Sequence, residues 1–359
     1  MAFGKVLLKI KRFLWSHYCD YAKQGAYGKT RDNMEQFGKK IFGERERYLS
    51  GKAQMKMFGA NQYPYWRVIA VKSIRKILLD ADSVYSDLED EIYFNKSDES
   101  EANNQVDIVN NEIKNGWMFE AISQAEQAIE DLFSLLKNSN DIAYFAKNVI
   151  NYSATKVKKY IWNFQADKLE YIMQEFKLPY FLLDEPWENR EVFEFYKESV
   201  LRMQQWLQEL IAFHKKYYLD YCQYKHGMSV ALCPFGQQYM KGEEKRDLHE
   251  GVLMTFDSYT VEERHKVSGS LPQMALYLDP NIVPYVSRLH SEGNLLHYSM
   301  HVVNIDEIVS ITEKAFALLN IVWANLLKRC EMTDEDKINE WAFPANDYKI
   351  YCLIGFPVE

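Results

Sequence analysis

The densest run of chemistry-bearing residues is Tyr221-Cys222-Gln223-Tyr224-Lys225-His226-Gly227. A histidine can give or take a proton near neutrality, and a lysine beside it holds a fixed positive charge. RNA cleavage through the 2′-hydroxyl needs both: a base for the hydroxyl proton and a cation for the developing phosphorane. His226 is the candidate base and Lys225 the candidate cation. Neighbours on a helix, however, diverge by about 100°, so the two side chains do not face one phosphate. Lys-His-Gly is also a good helix stop. Glycine is favoured just past a helix C-terminus, and basic residues in the last turn offset the negative end of the helix dipole. Both readings stand on the sequence.

Three further groupings could carry chemistry. Lys39, Lys40, Arg45, Arg47 and Arg67 interleave with Tyr48, Tyr63, Tyr65 and Trp66, the mixture of cations and rings that single-stranded nucleic acid needs. Through Lys56 the chain holds 13 Lys and Arg against five acids, a net +8, and the remainder carries −16. The basic part therefore either contacts nucleic acid or docks on the acidic body, within the chain or across a dimer. Arg12 and His17 stand one turn apart on a helix, with His17 on the apolar face, where a core histidine is expected. His290, His297 and His301 are the closest histidines, but no carboxylate or cysteine stands at a recognised ligand spacing from them, so no metal is expected. Asp184, Glu185 and Glu188 are read as a polar loop between prolines. With no glycine-rich phosphate loop, G-x-S-x-G elbow, HExxH or kinase signature present, no cofactor is expected.

The run at 221–227 resembles the end of the core helix in divergent bacterial members of the HEPN superfamily, all-α bundles that often finish in aromatic-Asn-x-x-Lys-His-Gly. The resemblance spans about residues 108–230. The chain departs from it in two places: Cys222 replaces the Asn, and Leu219 to Tyr221 stand where the ribonuclease members carry an Arg before the His. The resemblance implies a helical bundle and a defence or stress role that binds or cleaves RNA. If the protein is an enzyme, it implies a metal-independent ribonuclease using His226 and Lys225.

These residues need elements to hold them. The chain has 359 residues, 47% apolar and 26% charged, with 15 Gly and 9 Pro. That composition is globular, favours helices, and argues against collagen-like, low-complexity and loop-dominated β folds. The spacing predicts an amphipathic basic helix over 3–23, a connector with a short helix around 31–42, and a helix from about Tyr65 to Tyr93. Asn95 to Gln105 is polar, lacks apolar anchors and reads as a loop or linker. Helices follow at 117–138, 141–164 and 167–177, then a long one from about Asn189 to His226. After Gly227 the pattern shifts to short strands at Ser229–Cys233, Val252–Tyr259, Met274–Asp279, His297–Asn304 and Tyr348–Phe356. One helix, Asp306 to Arg329, interrupts them, with Asn304 or Asp306 as its cap.

The expected fold is mainly α with a C-terminal α+β part, a helical bundle followed by a small antiparallel sheet with packing helices. The expected division is 1–104, a basic helical region and acidic linker; 105–228, an HEPN-like bundle; and 229–359, an α+β domain. Five dispersed cysteines with no CxxC point to a reducing cytosol rather than a disulfide framework. No run of 18 apolar residues exists, and the start reads poorly as a signal peptide. Peripheral membrane contact through residues 3–18 is disfavoured against packing on the protein's own domain. The functional expectation is an HEPN-like protein that binds or cleaves RNA. The competing one is a non-catalytic interaction or regulatory protein whose bundle forms a homodimer.

Overall fold

The computed structural model describes residues 46–57, 65–80, 99–178, 190–225, 230–231, 250–257, 267–270, 297–331, 340–344 and 351–355. Residues 46–57 are helical, α1. Then come α2 (Tyr65–Leu79), α3 (Glu99–Ser139), a 3-10 turn at Ile142–Tyr144, α4 (Phe145–Ile150), α5 (Ala154–Trp162), α6 (Leu169–Glu175) and α7 (Arg190–Lys225). The C-terminal third holds β1 (Val230–Ala231), β2 (Glu250–Asp257), β3 (Val267–Ser270), β4 (His297–Asn304), α8 (Ile305–Glu331), β5 (Glu340–Pro344) and β6 (Tyr351–Gly355). The protein is thus mainly helical with a C-terminal α+β part.

Helix α3 is the axis of the core. From Met118 to Leu136 it buries Met118, Phe119, Ile122, Ala125, Ile129, Leu132, Phe133 and Leu136 on one face and Ala121, Ala128 and Leu135 beside it, positions that together cover more of its circumference than the single stripe of a surface helix. Helices α2, α5, α7 and α8 all pack against it. α7 brings Tyr196, Val200, Met203, Leu207, Leu210 and Tyr217, at intervals of three, four and seven that return to one face. α8 brings Ile308, Ile311, Ala315, Leu318, Val322 and Leu326, and α2 brings Val71, Ile74 and Leu78. One continuous core therefore takes residues from each third of the sequence. Burying an aliphatic or aromatic side chain of this size contributes about 1.5–3 kcal/mol relative to exposure.

Charge fixes how α2 lies on that core. Arg67 Nε is 2.7 Å from Asp131 of α3, while Lys72 reaches buried Glu313 and Arg75 reaches Asp306, both on α8 and both at 2.5 Å. The basic side chains of α2 thus dock on acids of the body; the +8 segment through Lys56 lies mostly outside the described residues.

The sheet has the order β1-β2-β4-β3, antiparallel throughout, with Leu253 opposite His301 and Asp257 opposite His297. β5 and β6 form a separate antiparallel pair. Asn304 ends β4 and caps α8, its Oδ1 accepting from the N–H groups of Asp306 at 2.8 Å and Glu307 at 3.4 Å. The β5–β6 pair is fastened to the helices by side chains acting as backbone partners. Asn325 of α8 accepts from Ala342 N–H at 2.8 Å and donates to the carbonyls of Ala342 and Phe176. Arg202 of α7 donates to Pro344 O at 3.0 Å, and Tyr196 meets Phe343 edge to face.

Several elements differ from expectation. The polar run to Gln105 is not wholly a loop, since α3 starts at Glu99 and passes through it unbroken; a long helix held by packing further along can extend through residues that bury nothing. The single helix expected over 141–164 is broken at Asn151-Tyr152-Ser153, where short polar side chains offer the backbone other partners. Helix α1 lies where only a connector was expected, and β3 and β5 were not anticipated. Helix α6 closes through Leu178 N–H to Met173 O at 2.8 Å, with Lys177 in the left-handed region at φ 57° where glycine is usual. The expected helices over 3–23 and 31–42 and the strand Met274–Asp279 lie outside the described residues.

Gly51 lets α1 approach the 3-10 turn. A Cβ there would stand 2.0 Å from Ile142 O and 2.9 Å from Ala143 Cα, both backbone atoms. Gly51→Ala is expected to destabilise the protein by about 1–3 kcal/mol, read as a lowered urea midpoint. An unchanged midpoint would mean that α1 does not bear on the turn.

Candidate nucleic-acid interface

The last three turns of α7 follow a rule visible in their spacing. His214, Tyr218, Tyr221 and Lys225 recur at intervals of four, three and four, so they form one stripe along the helix. α5 lies beside it. Lys158 of α5 places its ammonium 4.5 Å from the Tyr218 ring centre and 4.3 Å from that of Trp162, one turn further along α5. Lys225 repeats the contact at the helix end, 3.9 Å over Tyr221. Cations over ring faces are held by the ring quadrupole. The outcome is an ordered row of lysines and rings in which Trp162 is 42% exposed and Tyr152, from the break before α5, 45% exposed. Tyr224 stacks on Phe119 at 5.3 Å.

Beneath this row lie acids. Glu126 and Glu130 stand one turn apart on α3, both buried. Glu126 Oε2 is 2.6 Å from His214 Nδ1, and neither side chain is exposed to solvent. That distance would suit an ion pair, but burial this complete disfavours both charges. Desolvation, with Glu130, Cys222 and Asp220 adding like charge, raises the Glu126 carboxyl well above its ordinary range. Desolvation, helped by the Lys158 charge, pushes His214 down to about 3. The pair is therefore neutral, the carboxyl O–H donating to Nδ1. Among the described residues Glu126 Oε1 and His214 Nε2 have no hydrogen-bond partner. Glu130 is raised by burial and drawn back by the Tyr152 hydroxyl and by Lys225, and Tyr221 stands 3.5 Å from its Oε2. Raised carboxyls carry less negative charge, so the floor of the row repels an anion less than its acid count suggests.

The residues singled out from sequence are dispersed. Lys225 is the last residue of α7 and exposed. Arg67 is turned inward, its guanidinium held by Asp131 and by Gln127 at 2.6 Å. Arg47 donates to the Tyr144 hydroxyl at 2.6 Å. His226, Lys39, Lys40, Arg45, Arg12, His17, His290, Asp184, Glu185 and Glu188 lie outside the described residues. Among the described residues no group of three His, Cys, Asp or Glu is placed to hold a metal ion, and no helix is long and apolar enough to cross a membrane. Sequence reasoning missed Lys158, Trp162, Tyr152, Glu126, Glu130 and His214. Two signals pointed to them: the i, i+4 pair Lys158 and Trp162, and two acids one turn apart on an otherwise apolar helix face.

No family model, no curated protein and no solved structure matches this chain. The geometry must carry the reading alone.

The neutral pair has a pH signature. Glu126, raised in the fold, supports stability below its ordinary 4.5, and that support is lost as pH rises through its folded value. His214, lowered in the fold, supports stability above 6.5, and that support is lost as pH falls towards 3. The pair's contribution therefore peaks between about 4.5 and 6.5 and declines on either side by up to about 1.4 kcal/mol per pH unit. Urea denaturation across this range should show a decline on the alkaline side that Glu126→Gln removes. Parallel curves for the two proteins would show that Glu126 is already ionised in the fold.

Proposed function

We propose that this chain is an HEPN-like RNA-binding protein of the defence or stress type, and that it contacts RNA at the end of α7. The observation that carries this is Lys225, exposed on the final turn and seated over Tyr221, with His226 and Gly227 following in the chain. A lysine there offsets the negative helix end and offers an ammonium to phosphate. The same contact favours binding over cleavage. Cleavage would require Lys225 and His226 to converge on one phosphate, and the Lys225 ammonium is held over the Tyr221 ring.

Titrating a fluorescent RNA with the full chain at several salt concentrations tests the reading. Binding should weaken linearly in log salt, and Lys225→Ala should reduce the slope by about 0.7, the share of one phosphate on a single strand. His226→Ala should weaken binding without moving the melting temperature. Absence of salt-dependent binding to any RNA would overturn the proposal.

A further inference from the structure

We infer that the α5–α7 row is a platform for single-stranded RNA, with bases stacking on Trp162 and Tyr152 and phosphates held by Lys158 and Lys215. The inference rests on the RNA reading above and adds to it the strandedness of the ligand and the residues that recognise it.

Three observations converge on it. First, large aromatic rings usually bury most of their area, yet Trp162, beside Lys158, and Tyr152, beside Glu130, leave 42% and 45% exposed. One face of Trp162 carries the Lys158 ammonium, and the exposed ring area that remains is a place where a second π-surface would gain contact. Second, the rings alternate with cations in space. Lys158 sits between Trp162 and Tyr218, and Lys225 sits over Tyr221. Lys215 is exposed one turn before Tyr218 on α7, and Lys159 is exposed one turn before Trp162 on α5. A nucleic-acid strand offers the complementary alternation of base and phosphate. Third, the acids under the row are buried, and Glu126 and Glu130 are both biased towards their protonated forms, so the platform keeps its positive sign.

The chemistry selects a single strand. In a duplex the base faces are stacked on one another and unavailable to a side chain, whereas an unpaired base can lie on an exposed ring. The rings present π-faces rather than a pattern of donors and acceptors, so the platform tolerates sequence. Lys158 would exchange its two ring contacts for a phosphate, which leaves the Trp162 face free to stack.

The test uses the full chain, a labelled oligouridine of about 15 nucleotides and an RNA duplex of the same length, with anisotropy read between roughly 50 and 200 mM NaCl. Oligouridine should bind about ten-fold or more tighter than the duplex. Trp162→Ala should weaken oligouridine binding by about ten-fold while leaving the salt slope unchanged, and Trp162→Phe should keep most of the affinity. Lys158→Ala should instead lower the slope by about 0.7. Melting curves check that each variant folds. Equal affinity for duplex and single strand overturns the inference and leaves the RNA reading standing. So does unchanged oligouridine binding by a folded variant carrying Trp162→Ala and Tyr152→Ala together. Failure of every RNA to bind overturns both.

Discussion

Everything in this fold is arranged around the need to cover α3 on almost every side. A helix that is buried around most of its circumference cannot rest on one neighbour, and here α2, α5, α7 and α8 surround it. These neighbours come from distant parts of the chain, so the N-terminal and C-terminal segments are held to the central one by the same core. The ion pairs of Arg67, Lys72 and Arg75 add direction to that packing rather than most of its strength. They set which face of α2 meets α3 and α8, since exposed and half-buried pairs contribute little energy but penalise a wrong register.

Polar groups inside such a core are least costly when paired with one another. Glu126 and His214 form one, and its neutrality affects the surface above. With fully charged acids, the α3 face below Tyr218 and Tyr221 would oppose any polyanion approaching the lysines. Because burial raises those carboxyls, the core chemistry and the sign of the outer surface are linked. Tyr221 joins the two levels, with its hydroxyl towards Glu130 and its ring face towards the Lys225 ammonium.

Much of the architecture is legible in the sequence, for reasons that can be named. Helix α7 follows its expected span almost to the residue because ten turns of one period leave no competing solution. Strand β4 and the cap at Asn304 are equally plain, since a β-branched run ends in a residue whose side chain completes a helix start. The 99–105 segment is not legible, because its helicity depends on packing twenty residues further along. Helix α1 is hidden by its glycine, although Gly51 is there so that the helix can touch a backbone. The candidate site is the least legible part. Arg67 reads as a surface cation, and only the fold brings Asp131, sixty-four residues away, against it. Lys158 and Tyr218 are likewise ordinary residues until α5 is laid beside α7.

The amide of Asn325 gives the C-terminal strands a weight beyond their own contacts. Its oxygen takes the Ala342 N–H and its nitrogen serves two carbonyls, one on β5 and one just past α6. A chain ending before residue 340 would therefore lose more than a hairpin. It would leave a polar amide exposed within an apolar wall of α8, still tied to Phe176 and missing two of its three hydrogen bonds. A shortened protein would carry that defect into the centre of the bundle, so β5 serves as part of the core's internal solvation.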